Sequence, residues 1–411
     1  MTPFSLRARW VLPVDQPPIE DGVVTIADGL ILTVGKASSH DGPVEDLGDV
    51  ALLPGFVNTH THLEFSDHQT PLGPADQGLP AWIRSVIADR QRSTRDASAA
   101  IIAGLAESLT HGVTTIADIA TSPSQYYYGV APCPNLILLQ EAIGFSTART
   151  NSVFNDITNR LEVCATHGER SEDPGMAYGI SPHAPYTVSL ALVEKLVSLA
   201  AQEKLPIAMH LAESQEELQL LREGNGPFRE LLEEKSMWDA GAIPANATPL
   251  DFLKRLSAAG HSLVVHGNYL NASELDYLSE HRGTMSVVFC PRTHRYFNHT
   301  KYPLEEMLAA GVRVVAGTDS RASNPDLSIL AELRAMAQNY PSVAVSRLLA
   351  MGTLEAAMAL GWQDRAGSIT PGKYADLVAL PCAAPSEPVE ELLHSESRPA
   401  RVWLHGELAV S

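Results

Sequence analysis

The sequence predicts an α/β protein in which a (β/α)8 barrel of the TIM type is joined to a small β-sandwich domain formed by both chain ends. Three observations lead to this fold class. The middle of the chain alternates apolar, strand-like runs with stretches of helical spacing, which is typical of βαβ units and a parallel sheet. Several of those runs end at an ionisable residue, as strands do at the carboxyl-terminal face of such a barrel. Both chain ends instead contain short β-rich runs separated by turns.

The turns at the chain ends indicate hairpins of one small domain. Asp28-Gly29 lies between two β-rich runs, and His405-Gly406 lies between the last two, as in tight hairpins. We expect residues 1–54 and 366–411 to form the composite β domain and residues 55–365 to form the barrel domain. Roughly eight strands over about 310 residues fit a barrel of this kind. Helices are expected from Ala97 to Leu109, from Ser189 to Glu203 and from Leu327 to Gln338.

The composition is that of an ordinary soluble globular protein. Of the 411 residues, 45% are hydrophobic and 19% are charged, and the formal net charge is −19. This charge disfavours a nucleic-acid polymer or an anionic membrane as partner, because both require basic patches. A small-molecule substrate is therefore expected, and the sequence is compatible with a homo-oligomer.

Cysteine usage and the N-terminal residues predict a cytoplasmic location. The four cysteines are scattered without Cys-x-x-Cys spacing, which argues against a thiolate metal site or a disulfide framework and favours a reducing compartment. The first residues lack the apolar core of a signal peptide, and no later stretch approaches membrane-spanning length.

His60 and His62 are the most informative pair in the chain. An apolar and β-branched run beginning at Leu53 leads into them. Residues two apart on a strand point to the same face, so both imidazoles can converge on one metal ion at the strand end. Imidazole is the commonest neutral metal ligand. The pair alone is equally typical of surface or core histidines, so this interpretation depends on further ligands.

Four more ionisable residues stand where an apolar run gives way to small or turn residues. Each alone is more typical of a polar strand end that meets solvent. Together with the histidine pair, and with a predicted helix between successive strands, they indicate one site at the mouth of a parallel barrel. The four are His183, His210, His266 and Asp319.

Five segments, in order along nearly the whole chain, carry a family resemblance. They are Pro54-Gly-Phe-Val-Asn-Thr-His-Thr-His62, His210-Leu-Ala-Glu213, Val265-His-Gly-Asn268, Gly317-Thr-Asp-Ser320 and Pro371-Gly-Lys-Tyr-Ala-Asp376. With them the chain resembles the amidohydrolase superfamily. The similar branch holds adenosylhomocysteine and methylthioadenosine deaminases, aminodeoxyfutalosine deaminases and triazine hydrolases.

The resemblance implies a barrel enzyme with one divalent metal ion, an acid/base, a partner of the attacking water and a substrate contact. For the metal it implies His60, His62, His210 and Asp319, and for the other three roles Glu213, His266 and His183. Two-metal members of the superfamily use a carbamylated lysine from the fourth strand. Here that strand ends in Ser181-Pro-His183 without a lysine, which favours one metal. Three histidines and one aspartate suit Zn²⁺, although Fe²⁺ or Mn²⁺ can use the same ligands.

The expected chemistry is hydrolytic deamination of an aromatic amine. Zinc lowers the pKa of bound water to about 7, and Asp319 can take the water proton. Glu213 can protonate the ring nitrogen, a role that a glutamate outside the metal shell fills in unrelated zinc deaminases. Because residues three apart on a strand face opposite ways, Glu213 reaches the site only if the strand ends near Leu211.

Three further segments point to a particular substrate. They are Glu64-Phe-Ser66, Cys290–Phe297 and Ala322–Pro325, and they look most like the aminodeoxyfutalosine deaminase group. The predicted substrate is therefore 6-amino-6-deoxyfutalosine, a menaquinone precursor.

One departure from the adenosylhomocysteine group concerns the residues after Trp82. Trp82 resembles a tryptophan of that group, but Ile83–Gln91 lacks the glutamate that holds ribose hydroxyls there. Trp82 is a candidate for stacking on an aromatic substrate. The candidates for pairing with a substrate carboxylate are Arg149, Arg292 and Arg295.

Three alternatives stay open. The chain can be an adenosylhomocysteine or methylthioadenosine deaminase, or a hydrolase of another bond, such as a triazine carbon–halogen bond or another cyclic C–N bond. Glu213 favours deamination, because a proton donor to the ring is superfluous when a halide leaves. The third alternative is an inactive barrel that acts as a binding protein, which the complete ligand set disfavours.

Overall fold

Two sheets organise the protein, whose structure is a computed structural model describing residues 3–92, 95–170, 175–383 and 386–411. Strands β1–β5 and β14–β16 of the two chain ends form one sheet, and β6–β13 form an eight-stranded parallel barrel. The strands are β1 (Phe4–Val11), β2 (Ile19–Ala27), β3 (Leu30–Lys36), β4 (Glu45–Asp46), β5 (Val50–Pro54), β6 (Phe56–Thr61), β7 (Val113–Ala120), β8 (Asn135–Ala142), β9 (Met176–Pro182), β10 (Ile207–Leu211), β11 (Ser262–His266), β12 (Met285–Phe289), β13 (Val314–Ala316), β14 (Leu377–Pro381), β15 (Arg401–Leu404) and β16 (Glu407–Val410).

Helices surround the barrel strands, as the alternating sequence pattern predicts. Within the described ranges, no helix has both the length and the hydropathy that crossing a membrane requires. The helices are α1 (Leu79–Arg92), α2 (Ala97–Thr110), α3 (Thr150–Arg170), α4 (Leu190–Glu203), α5 (Gln215–Glu223), α6 (Pro227–Glu234), α7 (Pro249–Leu256), α8 (Ala272–Glu280), α9 (Pro291–Tyr296), α10 (Leu304–Ala309), α11 (Ile329–Asn339), α12 (Val345–Met351), α13 (Leu354–Leu360) and α14 (Pro388–His394).

The three helices expected from the sequence are confirmed as α2, α4 and α11, and each begins directly after an N-cap residue. Asp96, Ser189 and Ser328 each accept a hydrogen bond from the backbone amide three residues on, at 3.1, 3.3 and 3.2 Å. Such a bond satisfies one of the amides that the first helical turn leaves without a partner. The cap explains why α11 starts two residues later than the pattern predicts.

The barrel strands run parallel in the order β6 to β13, and their residues are buried almost throughout. Continuous burial is expected when helices cover one face of a parallel sheet and the interior covers the other. Beyond β13, the backbone amides of Thr318 and Asp319 donate to the carbonyl of His60 on β6, at 3.1 and 3.0 Å. The last strand is thereby joined to the first at the end of the barrel where the candidate ligands lie.

The sheet of the chain ends has the strand order β16-β15-β14-β5-β1-β2-β3. Asp28 (φ 50°) and Gly29 (φ 78°) are both left-handed, as are His405 (φ 46°) and Gly406 (φ 76°). Two consecutive left-handed residues match the tight turn that right-twisted strands favour, so both predicted hairpins are confirmed. β5 meets β6 across Gly55 alone, and the division into two domains at residues 54 and 366 stays a prediction.

Candidate functional site

The ends of β6, β10, β11 and β13 bring five ionisable side chains together. Nε2 of His60 lies 3.5 Å from Oδ1 of Asp319, and Nε2 of His62 lies 3.7 Å from the same oxygen. Nε2 of His62 is also 3.4 Å from Nε2 of His210. His266 completes the group, since one donor atom each of His60, His210 and His266 lie within 4.8 Å of one another. The four residues predicted to hold a metal therefore lie in one cluster, with His266 beside them.

The donor set fits one divalent cation. His60 is fully buried, yet neither of its ring nitrogens has a hydrogen-bond partner among the described residues. A buried polar group without a partner costs about 1–3 kcal/mol, and a cation at the centre of the cluster would supply that partner. Burial is the main cause that holds the pKa of His60 well below its usual range, with His210 adding to it. A neutral imidazole keeps the lone pair that coordination needs.

The orientation of His210 also suits a ligand. Nδ1 of its ring lies 2.9 Å from the backbone carbonyl of His183, and its own amide donates to the same carbonyl at 2.9 Å. The carbonyl can only accept, so Nδ1 carries the proton and Nε2 presents its lone pair to the cluster. Such a partner behind a histidine ligand fixes both tautomer and ring orientation.

Left-handed backbone turns the chain sharply after the strands. Ala212 has φ 53°, His266 has φ 70° and Asp319 has φ 57°. Residues with a Cβ adopt this region at a cost, and such strain is commonly found at functional sites. β10 ends at Leu211, as the sequence argument for Glu213 requires. The turn at Ala212 then directs Glu213 to the same side as His210.

Glu213 is a buried carboxyl beside the cluster. Its Oε1 lies 3.4 Å from Nε2 of His266, and its Oε2 accepts a hydrogen bond from the hydroxyl of Tyr186 at 3.2 Å. Burial raises the pKa of Glu213 well above its usual range, and the negative charges of Asp319 and Glu217 raise it further. The group is thus suited to carry a proton at neutral pH and to release it to a bound molecule.

Two residues that the sequence argument missed hold Glu213 in place. The carboxylate of Glu217 accepts the backbone amides of Ala212 and Glu213, at 2.7 and 3.0 Å, and Nδ2 of Asn268 donates to the carbonyl of Glu213 at 2.8 Å. A signal was available, because Ser214-Gln-Glu-Glu217 is the Ser-x-x-Glu pattern that opens a helix. Ser214 indeed caps α5.

Asp319 is held in a similar way. One carboxylate oxygen, Oδ2, accepts the hydroxyl of Ser323 at 2.6 Å, which leaves Oδ1 facing His60 and His62. The hydroxyl of Thr61 donates to the backbone carbonyl of Asp319 at 2.8 Å. The side chains of β6 and the residues after β13 thus position one another.

A cavity of about 280 Å³ opens onto the cluster. Its inner end contains His62, His210, Glu213, His266 and Asp319, and its walls are mainly apolar. An apolar cavity with a few convergent polar groups is typical of a small-molecule site. The apolar walls come largely from α1 and from the end of α6, through Leu79, Trp82, Ile83, Val86, Ile87, Leu231, Leu232 and Met237.

The structure places the predicted substrate contacts differently. His183 and Trp82 line the cavity, whereas Arg149 and Arg295 are exposed and are not among the described lining residues. For Arg292 the prediction is wrong. Its guanidinium is buried between Glu332 and Asp326, with Nε–Oε1 and Nη2–Oδ1 distances of 2.6 Å each, so it is fully used within the protein.

Two cationic residues and one carboxyl group that line the cavity were not proposed from the sequence: Arg90, Lys235 and Glu141. Arg90 pairs with Glu64 and its guanidinium lies 5.0 Å from the ring centre of Phe65. Lys235 is exposed and forms no ion pair with any described residue. Glu141 had a usable signal, since it follows the apolar run of β8 as His183 follows that of β9.

The fold and the cluster define a barrel enzyme of the metal-dependent hydrolase class. Residues 51–408 match the model of the amidohydrolase family, and the chain belongs to that family. It is a hydrolase acting on carbon–nitrogen bonds.

Three known proteins illustrate what the chain is similar to. It is 29% identical over 398 residues to the 5-methylthioadenosine/S-adenosylhomocysteine deaminase of Pyrococcus furiosus, covering 91% of this chain and 85% of the relative. It is 31% identical over 321 residues to the aminodeoxyfutalosine deaminase of Deinococcus radiodurans, covering 73% and 71%. The fold resembles that of Helicobacter pylori aminofutalosine deaminase in complex with methylthio-coformycin, with a TM-score of 0.84, 22% identity and coverage of 99% and 100%.

The ion pairs of Arg292 predict a large structural effect. Replacing Arg292 by alanine leaves the buried Glu332 without its cation, and removing one partner of a buried pair typically costs about 3–5 kcal/mol. We expect Arg292→Ala to lower the urea midpoint of unfolding accordingly. Arg222→Ala is the matched control, because Arg222 forms an exposed pair with Glu223 that is worth about 0–1 kcal/mol. Equal midpoints for both variants would contradict a structural role for Arg292.

Proposed function

We propose that this protein is a metal-dependent hydrolytic deaminase of an adenine nucleoside derivative, with aminodeoxyfutalosine as the best substrate. The observation that carries the proposal is Glu213, a carboxyl with a raised pKa beside the cluster and within the apolar cavity. Deamination needs such a proton donor, since the ring nitrogen next to the amino-bearing carbon must be protonated. The relatives from Pyrococcus furiosus and Deinococcus radiodurans are both named deaminases, which supports the same reaction.

The proposed metal site consists of His60, His62, His210 and Asp319. One divalent ion held there, Zn²⁺ before Fe²⁺ or Mn²⁺, would lower the pKa of a water molecule to about 7. Three neutral imidazoles and one carboxylate leave the ion a net positive charge. The missing lysine at the end of β9 supports one ion rather than two.

Glu213 and Asp319 would divide the proton transfers. Water adds its oxygen to the carbon that bears the amino group, and the proton it loses passes to Oδ1 of Asp319. Glu213 places its own proton on the adjacent ring nitrogen, so the ring carries no negative charge. The proton held at Asp319 then moves to the amino group, the carbon–nitrogen bond breaks, and ammonia leaves. The added hydroxyl oxygen becomes the carbonyl oxygen as its remaining proton passes to Glu213, which restores the protonated carboxyl. His266, at 3.4 Å from Glu213, orients that carboxyl and the attacking water.

Metal binding is the first test. Carefully loaded protein should contain close to one equivalent of metal, and chelation should abolish ammonia release. His210→Ala should lose the metal, because it removes a ligand that the carbonyl of His183 orients. The exposed His394, 49% exposed at its side chain, provides the control variant His394→Ala, which should retain it. Two equivalents that are both needed for activity would refute the one-metal assignment.

Glu213→Gln separates the acid from the metal ligands. The amide keeps the shape of the side chain but cannot transfer the proton, and loss of a positioned acid/base typically costs about 10²–10⁴-fold in rate. We expect kcat to fall by that factor while the metal content stays at one equivalent. Glu216→Gln, in the first turn of α5 and outside the cavity lining, should have nearly wild-type kcat. Stoichiometric loss of metal in Glu213→Gln would show that Glu213 is a ligand instead.

Arg90 and Lys235 support a substrate with an anionic end. Both line the cavity whose inner end holds Glu213, and Lys235 forms no ion pair with any described residue. Adenosylhomocysteine carries an ammonium beside its carboxylate, whereas the aromatic carboxylate of aminodeoxyfutalosine is a net anion. The apolar walls, including Trp82, suit its aromatic ring.

The substrate is tested by kcat/KM for aminodeoxyfutalosine against adenosine, methylthioadenosine and adenosylhomocysteine. Hydrogen bonds to a charged group are worth about 1.5–3 kcal/mol, or about 10–150-fold at about 1.4 kcal/mol per decade. We expect aminodeoxyfutalosine to be preferred, and Lys235→Met to reduce that preference without changing kcat/KM for adenosine. Equal or better turnover of the other three would refute the substrate and leave the deaminase proposal intact.

A further inference from the structure

Glu141 is a buried carboxyl group that the reaction described above does not use. It lies at the carboxyl end of β8, its side chain is 6% exposed, and it lines the same cavity as Glu213 and His210. No described residue forms a hydrogen bond with its carboxyl, and the nearest ionisable partner is Nε2 of His183, 3.9 Å from Oε1. Arg160 bonds only the backbone carbonyl of Glu141. The carboxyl therefore lacks a hydrogen-bond partner among the described residues while it faces the cavity of the candidate site.

The charge state of Glu141 suits a neutral hydrogen-bonding partner. Burial, and to a smaller extent the charge of Glu64, outweigh the opposite action of Arg90 and Arg160 and raise the pKa of Glu141 to about 8. The group is then largely protonated at neutral pH and offers one donor and several acceptor positions. A buried polar group without a partner is costly, so a ligand that supplies hydroxyl groups would gain by meeting it.

Neighbouring polar groups on the cavity wall are already engaged. The hydroxyl of Tyr186 donates to Glu213, and that of Thr187 lies 2.6 Å from Nδ1 of His183. The wall formed by α1 is apolar from Leu79 to Ile87 in the side chains that line the cavity. Apart from Glu213, which the proposed reaction uses, Glu141 is thus the buried carboxyl among the described wall residues that remains free to bind a substrate.

The position of Glu141 relative to the cluster fits the middle part of a nucleoside. The ring of His183 lies 4.9 Å from that of His210, and Glu141 lies on the adjacent strand, 3.9 Å from His183. β8 lies two strands from β10, so a base held against Glu213 and His210 would extend its sugar past His183 toward Glu141. The two carboxyl oxygens match a pair of adjacent hydroxyls.

We propose that Glu141 binds the 2′- and 3′-hydroxyls of the substrate's ribose and makes the enzyme selective for ribonucleosides. This inference rests on the proposed deaminase function and adds a sugar-binding residue to it. Glu141 would contact the substrate away from the reacting atoms, so its contribution belongs to substrate affinity and specificity. A site built to bond a hydroxyl discriminates strongly against the analogue that lacks it, because its own polar group is then left unpaired.

The test compares ribose, 2′-deoxyribose and 3′-deoxyribose forms of the adenine nucleoside that the wild-type enzyme deaminates best. We expect kcat/KM to fall about tenfold or more for each deoxy form, which is about 1.4 kcal/mol per factor of ten. In Glu141→Ala, kcat/KM for the ribose form should fall by a similar factor, and kcat/KM for the deoxy forms should not fall further. The ratio of kcat/KM for the ribose form to that for each deoxy form should therefore approach one. Glu141→Gln, which still donates and accepts hydrogen bonds, should keep most of the ratio.

The outcomes separate this inference from the function on which it rests. Glu216→Ala is the control and should keep the wild-type ratio. Ammonia release with no wild-type preference for ribose, or an unchanged preference in Glu141→Ala, would overturn the role of Glu141 alone. If Glu141→Ala does not fold, Glu141→Leu, which has a side chain of similar size and no hydrogen-bonding group, replaces it with the same expected loss of preference. Failure of every adenine nucleoside to release ammonia would overturn the proposed function and this inference together.

Discussion

The removal of ionisable groups from water at one end of the barrel is the constraint on which the rest of the structure depends. His60 is fully buried and Glu213 and Asp319 nearly so. Burial pushes the imidazoles toward their neutral form and Glu213 toward its protonated form, which are the states that coordination and proton donation need. The same hydrogen bonds that join the last strand to the first also set the distance between His60 and Asp319. The same hydrogen bonds therefore close the barrel and determine the geometry of the site.

Buried carboxylates around the site act mainly on the backbone. Glu217 holds the turn that carries Glu213, and Asp118 accepts the amide of Leu63, which directly follows His62. Burial raises the pKa of each to about 7. Burying an isolated carboxylate costs free energy. The hydrogen bonds that Glu217 and Asp118 accept from backbone amides offset this cost, and they also fix loops that strand pairing does not hold. This division explains why acidic residues are frequent at the site although only Asp319 and Glu213 are assigned to the reaction.

Sequence reasoning found the candidate ligands because their signal is local. A strand that ends at a histidine or aspartate can be recognised from a few residues, and parallel strands bring such ends to one face. The prediction for Arg292 was wrong because its partners, Glu332 and Asp326, lie 40 and 34 residues away in α11 and in the loop before it. Arg90 and Lys235 were missed for the same reason, since nothing near them in the sequence shows that α1 and the end of α6 cover the cavity. Glu217 could have been found from its helix-opening pattern.

By itself the sequence determined the barrel, the sheet of the chain ends, both hairpins and the residues that meet at the carboxyl ends of the strands. Each of these follows from apolar periodicity, turn chemistry and short motifs, which act between neighbours in the chain. Only the tertiary structure decided which cations remain available to a substrate and which carboxyl groups lack a partner. Lys235 and Glu141 face the cavity, whereas Arg292 is used within the protein. Availability depends on every group that packs nearby, and those groups come from distant parts of the chain.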